Sequence, residues 1–253
     1  MRRISRRRAL PAEAIVKTQD HFDSFRPVLN DYVLPDDVYE LYQAGRFNDT
    51  PLLLGSNSEE GRMLAPPAAT PASFEAQTRA LFGSHGDTAL ALYPHATDAE
   101  AEQSARDEIS AGMGWEAWAW ARLSSRKGPD KVFLYYFDRH SPQAPRGPTH
   151  GAEIAYVFGN LGIPGSGLSG SPGPADVPLA EQIQDYWVNF AKTGNPNGPG
   201  LPYWPAFSVS SPRVMYLDAH PRAGPVPNMK QIKAFDAYYA HVRQAEAQKK
   251  PAQ

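Results

Sequence analysis

The residues with the clearest chemical potential in this sequence are acids and a histidine that follow apolar segments. Glu59 and Glu60 follow segment 51–55 (PLLLG) after three intervening residues, and His150 lies in the loop beyond segment 131–138 (KVFLYYFD). In an open α/β sheet, sites form outside the carboxyl ends of the strands, so these side chains are expected at one edge. A carboxylate there can orient an imidazole that acts as general base toward a hydroxyl nucleophile.

That pairing needs support from the rest of the chain, because seven histidines and 27 acidic residues would produce some such pair by chance. Three segments have the composition of strands: 51–55, 131–138 and 213–217 (RVMYL). Helical stretches separate them along the chain. This alternation is typical of an α/β fold, with a few strands of a mostly parallel sheet and flanking helices.

Helices are predicted where capping residues precede periodic apolar positions. Thr70 caps one of them, and Thr97 with Glu100 forms a capping box ahead of a long one. The predicted helices span residues 10–19, 35–45, 71–83, 98 to about 128, 178–194 and 228–244. The helix at 178–194 is amphipathic, and its apolar face is expected to contain Leu179, Ile183, Trp187, Phe190 and Ala191.

Composition excludes several classes of function. The 253 residues have a net charge of −2, which gives no overall attraction to nucleic acid or anionic membranes. They contain no cysteine, which excludes disulfides and thiolate sites. No apolar run is long enough to span a bilayer. The arginine-rich residues 1–8 are not followed by the apolar core of a signal peptide, so the localisation is left unknown.

Two other site chemistries are weaker. His150 and Glu153 have the spacing of two metal ligands on one helix face, but no third ligand is placed by the sequence. The aromatic segments 115–122 and 132–137 could stack on nucleic-acid bases, but no basic groove accompanies them. The tryptophans at 115, 118 and 120 are instead expected in the core or in a pocket wall.

Three segments resemble motifs of the type B carboxylesterases, the cholinesterase-like α/β-hydrolases. They are PLLLGSNSEEG (51–61), HGAEIAYVFGNL (150–161) and DYWVNFAKTGNPNGPGLPYWPAF (185–207). Similar but weaker matches extend to both ends of the chain, in order. The resemblance implies that residues 1–253 are the C-terminal portion of one carboxylesterase-type α/β-hydrolase domain.

The resemblance assigns roles to individual residues. Glu60 matches the catalytic acid of the family and His150 matches the catalytic base, whereas Glu59 is given no catalytic role and Glu153 is expected to orient the turn. The implied reaction is hydrolysis of a small-molecule carboxylic ester through an acyl-enzyme. No metal or organic cofactor is implied, and neither nucleic acid nor a membrane is an expected partner.

The sequence departs from the family at the nucleophile. The G-x-S-x-G elbow and the HGGG-type oxyanion segment do not occur in it, and the nearest imitation, Ser169 in segment 167–171 (GLSGS), lacks the final glycine. The serines upstream of Glu60 are Ser5, Ser24, Ser56 and Ser58, none of them in an elbow. We therefore expect a C-terminal half whose partner is the missing N-terminal half. The alternative is a cholinesterase-like binding or adhesion module that has lost catalysis.

Overall fold

The computed structural model describes residues 9–17, 27–30, 32–66, 68–127, 131–141, 144–163 and 172–249. The chain divides into two compact units, residues 1–47 and 48–253.

The described residues of the first unit include two short helices, α1 (Ala12–Val16) and α2 (Val38–Gln43). The Asp37 carboxylate caps α2 by accepting hydrogen bonds from the backbone N–H groups of Tyr39 and Glu40. Both helices were predicted, but each is shorter than its sequence pattern indicated. Residues 18 and 19, at the predicted end of α1, lie outside the described part of the chain.

The described part of the second unit is built on four strands with helices on both sides. The strands are β1 (Leu52–Asn57), β2 (Val132–Phe137), β3 (Arg213–Leu217) and β4 (Arg222–Pro225). The helices are α3 (Pro71–Phe82), α4 (Gly86–Leu90), α5 (Asp98–Ser124), α6 (Ile154–Val157), α7 (Asp176–Thr193) and α8 (Met229–Lys249).

The sheet has the strand order β1-β2-β3-β4. β1 is parallel to β2 and β2 is parallel to β3, as the alternation of strands and helices predicted. In the observed register Leu52 lies opposite Val132 and Tyr135 lies opposite Met215. β4 was not predicted, and it runs antiparallel to β3. Its four residues (RAGP) lack the β-branched and aromatic side chains that identify strands, so pairing with β3 alone defines it.

Alternate residues of β2 supply the cores on the two faces of the sheet. Phe133 and Phe137 pack in a cluster that includes residues of α6 and α7, with Trp204 fully buried there. Val132 and Leu134 point to the opposite face, where residues of α5 and α8 complete the core. Such two-sided burial explains why this strand reads as a continuous apolar run.

Several helix predictions are confirmed and others need correction. The capping boxes at Thr70 and Thr97 are both formed. Trp120 is 46% exposed, so it is not a core residue, whereas Trp115 stacks on Tyr239 with ring centroids 4.2 Å apart. Ala191 is also exposed rather than part of the apolar face of α7. Among the described residues, no helix combines the length and apolarity needed to cross a membrane.

Candidate active site

Glu60 is placed by the abrupt end of β1. The strand stops at Asn57, and a single 3-10 turn, Glu60–Arg62, begins after two intervening residues. The turn packs against α5, where the Gly61 N–H donates to the Ser110 hydroxyl at 3.0 Å. This packing turns the Glu60 side chain inward, so that it is only 5% exposed.

His150 reaches the same point from the loop after β2. The described residues of this loop, 138–141 and 144–153, are here called the base loop, and a 2.7 Å ion pair between buried Arg139 and Asp176 anchors its start. Further along, Thr149 forms a parallel bridge with Glu59, and the Glu59 N–H donates to the Pro148 carbonyl at 3.1 Å.

The bridge brings the predicted acid and base into direct contact. His150 Nδ1 lies 2.6 Å from Glu60 Oε2, although the two residues are 90 positions apart in sequence. An ionised carboxylate can only accept a hydrogen bond, so against that form Nδ1 is the donor, and in a neutral imidazole Nε2 is then the acceptor. The His150 side chain is 54% exposed, which leaves the imidazole open to a reacting group.

Asn57 is a site residue that the sequence analysis missed. Its backbone N–H donates to Glu60 Oε1 at 2.8 Å, which accounts for the second oxygen of that carboxylate. Its side-chain amide donates to the Thr149 carbonyl at 2.8 Å and to Glu153 Oε2 at 2.5 Å. The motif resemblance placed Glu153 as an orienting residue, and its contact with Asn57 indicates how it could hold the turn.

The adjacent carboxylate, Glu59, has different surroundings. It lines a polar cavity of about 280 Å³ whose wall also contains Asp107, Tyr93 and His140. Burial raises the pKa of the Glu59 carboxyl, and the nearby Asp107 carboxylate raises it further. The two acids at the end of β1 therefore lie in different environments. Glu60 contacts the imidazole of His150, and Glu59 faces the polar cavity.

His140 stabilises the base loop from its exposed side. Its Nδ1 lies 2.9 Å from the Pro145 carbonyl and its Nε2 lies 3.0 Å from Asp138 Oδ1. The Pro145 carbonyl, followed by the Asp138 carboxylate, raises the pKa of the His140 imidazole. Stability from this group is fully present below its unfolded pKa and is lost as pH rises through the higher folded value.

The metal-site alternative finds no support in the described residues. His150 and Glu153 bind different partners, and no group of three or more acids or histidines in the described ranges could hold a metal ion. Ser169, the nearest imitation of a nucleophile, lies outside the residues that the structure describes.

Comparison with known proteins decides the family. A model described as "Carboxylesterase family" matches residues 1–235. The chain belongs to the carboxylesterase family.

Two similar esterases support this membership. The chain is 30% identical to the fumonisin B1 esterase of Sphingopyxis macrogoltabida over 193 residues, which are 72% of this chain and 35% of the relative. It is 29% identical to the para-nitrobenzyl esterase of Bacillus subtilis over 206 residues, which are 77% of this chain and 40% of the relative.

A solved PNB esterase structure has the same fold. It matches with a TM-score of 0.71 at 25% identity, covering 91% of this chain and 50% of the solved chain. The predicted α/β-hydrolase fold is therefore confirmed. The present chain spans about half of that solved structure, 35% of the fumonisin B1 esterase and 40% of the para-nitrobenzyl esterase.

Proposed function

We propose that this chain supplies the acid, Glu60, and the base, His150, of a Ser-Glu-His triad that hydrolyses small-molecule carboxylic esters. The observation that carries the proposal is the 2.6 Å contact between His150 Nδ1 and the buried Glu60 carboxylate. This contact occurs between two segments that resemble the acid and base motifs of the family. The serine and the oxyanion donors would come from polypeptide other than these 253 residues, because neither motif occurs in them.

The proposed reaction follows from the protonation of the imidazole. Nε2 takes the proton from the serine hydroxyl as the serine oxygen bonds to the ester carbonyl carbon, and Glu60 stabilises the resulting imidazolium. The imidazolium then protonates the departing alcohol, leaving an acyl-enzyme. In the second half, Nε2 takes a proton from water as the water oxygen attacks the acyl carbon, and the serine leaves with that proton.

We also propose that residues 1–253 form the C-terminal portion of one carboxylesterase domain and that the N-terminal portion pairs with β1. Within the described sheet β1 is bonded only to β2, so its other edge has no strand partner. The Leu52 N–H points toward β2, bonding to the Lys131 carbonyl at 2.7 Å. Because the N–H groups of successive residues in a strand point to opposite edges, those of Leu53 and Gly55 point to the open edge. There the carbonyl groups of another strand can accept their hydrogen bonds.

Reconstitution tests the function. The chain alone is expected neither to react with a fluorophosphonate probe nor to hydrolyse p-nitrophenyl butyrate above background. Co-expression with the N-terminal portion of the Bacillus para-nitrobenzyl esterase, the part that precedes the matched region, should restore both activities. The Bacillus portion expressed alone is the control and should be inactive, because it lacks the acid and base.

Two outcomes would contradict this proposal. Stoichiometric labelling of the chain alone that disappears in Ser169→Ala would place a nucleophile within the chain itself. A soluble, stable complex of the two portions that remains inactive would favour the binding-module function instead.

The open edge of β1 carries its own prediction. An unpaired strand with apolar, uncharged residues 52–55 favours pairing between molecules, so the chain alone should self-associate and bind the dye ANS. Light scattering after size exclusion measures the first property and fluorescence the second. Both should decrease when the Bacillus portion is co-expressed. A sharp monomer peak without ANS binding and with a cooperative melt would show that the edge needs no partner.

A further inference from the structure

Asn57 connects the two segments that carry the acid and the base. It is the last residue of β1 and is 2% exposed. Its backbone N–H and side-chain NH₂ have hydrogen-bond partners, whereas the buried side-chain Oδ1 has none among the described residues. Its three hydrogen bonds, at 2.8, 2.8 and 2.5 Å, reach both segments.

On the acid side, the contact fixes the orientation of a carboxylate. The Asn57 N–H binds Glu60 Oε1, and His150 Nδ1 binds Glu60 Oε2. With one oxygen held by the backbone, the carboxylate plane cannot rotate freely, and Oε2 stays directed at the imidazole. The Asn57 side chain is not needed for this bond, but its position determines where the N–H points.

On the base side, the Asn57 side-chain amide binds one residue that precedes His150 in the sequence and one that follows it. Thr149 directly precedes His150, and Glu153 follows it by three residues. Both accept hydrogen bonds from the Asn57 Nδ2 atom. The segment 149–153 is therefore tied at its beginning and its end to the strand that delivers Glu60.

We infer that Asn57 is a positioning residue, which fixes His150 against Glu60 by clamping the base loop to the end of β1. The inference rests on the proposed function for its catalytic meaning, but the clamp itself is a property of the chain alone. Asn57 touches none of the reacting atoms and acts only through Glu60, Thr149 and Glu153.

The chemistry of the clamp requires an amide. The NH₂ group supplies two protons to two acceptors, which a hydroxyl with one proton cannot do. Aspartate has the same shape but offers only acceptors when ionised, and its charge would repel Glu153. Leucine has a similar volume and no donor, so it would leave the Thr149 carbonyl and the Glu153 carboxylate without these bonds.

Nuclear magnetic resonance of the ¹⁵N-histidine-labelled chain tests the clamp without any activity. The His150 signals, assigned by their loss in His150→Gln, should show the proton on Nδ1 in the wild-type chain. In Asn57→Ala the ratio of the Nδ1–H form to the Nε2–H form should fall on the order of tenfold. This is about the change expected when the net free energy of one hydrogen bond no longer favours the Nδ1–H form. Glu153→Gln keeps an acceptor oxygen for Asn57, so it should leave the ratio near that of the wild type.

Asn197 is the matched control. It also bridges a loop through its amide, with Nδ2 2.9 Å from the Trp204 carbonyl and Oδ1 2.7 Å from the Trp204 N–H. Asn197→Ala should reduce stability while leaving the His150 tautomer ratio unchanged. If it changes the ratio as much as Asn57→Ala does, Asn57 has only a general structural role and the inference is wrong.

A second variant guards against misfolding. If Asn57→Ala does not fold, the measurement is made on Glu153→Ala instead. This substitution is at a half-buried position and removes only the hydrogen bond between Asn57 and Glu153, so it should lower the same ratio by a smaller factor. A folded Asn57→Ala or Glu153→Ala chain with the wild-type ratio would overturn the inference.

Reconstituted esterase separates this inference from the proposed function. There, Asn57→Ala should lower kcat about 10²-fold with little change in KM, because the base is misplaced while substrate binding is retained. An equal loss in Asn197→Ala would overturn the inference. If the wild-type chain gives no reconstituted activity but the tautomer ratio still depends on Asn57, then the clamp stands and the proposed function fails.

Discussion

His150→Ala is expected to lower the hydrolysis of p-nitrophenyl butyrate by the reconstituted enzyme about 10⁴- to 10⁶-fold, which is the size of loss seen when serine hydrolases lose a triad residue. Without the imidazole, no group accepts the serine proton. Glu60→Gln should lower kcat about 10⁴-fold, because an amide donates where the carboxylate accepts and favours the wrong imidazole tautomer. The measurement is kcat of each co-expressed and co-purified complex.

The neighbouring acid provides a matched control for this pair. Glu59 is adjacent to Glu60 in sequence and has the same side chain. It lines the polar cavity, however, whereas Glu60 contacts the imidazole of His150. Glu59→Gln should therefore retain most of the reconstituted activity. If Glu59→Gln is as inactive as Glu60→Gln, or if activity survives in His150→Ala, the assignment of acid and base is wrong.

The parts of this molecule that could be predicted from sequence are those specified by local patterns. β1, β2 and β3 stand out because each is a short apolar run between turn residues, and the caps at Thr70 and Thr97 require only residues within four positions. The meeting of Glu60 and His150 was also predictable. Parallel strands end at a common edge, so two loops that follow adjacent strands converge there.

The parts that escaped prediction depend on contacts between distant residues. β4 exists because Arg213–Tyr216 of β3 provides a pairing edge, and its own four residues contain no strand pattern. Asn57 bonds with residues 92 and 96 positions away, and nothing in its immediate neighbours indicates that a buried amide will find them. Trp120 is exposed although it lies in an aromatic run, because a helix turns consecutive residues to different faces.

A substitution at the residue after the proposed acid tests how closely the turn must approach α5. A Cβ on Gly61 would lie 2.1 Å from the Arg106 carbonyl oxygen and 2.8 Å from the Arg106 Cα, both of them backbone atoms that cannot rotate away. Gly61→Ala is therefore expected to lower the free energy of unfolding by about 3 kcal/mol, at the upper end of the cost of overpacking. Urea unfolding followed by tryptophan fluorescence, at concentrations below self-association, gives the value.

The same helix supplies the control for this substitution. A Cβ on Gly114, within α5, would meet nothing closer than the Ile232 Cδ1 at 3.7 Å and the Ser56 Oγ at 3.9 Å. Gly114→Ala should thus be neutral or stabilise the chain by up to about 1 kcal/mol, because alanine favours a helix over glycine.

The functional consequence of Gly61→Ala follows from its place in the chain. Relief of the clash requires the 3-10 turn to move away from α5, and the turn begins at Glu60. The carboxylate would then leave its position against His150, so the tautomer ratio should fall together with stability. If the urea midpoint of Gly61→Ala matches that of Gly114→Ala, the turn does not press on α5, and this packing is not what directs Glu60 inward.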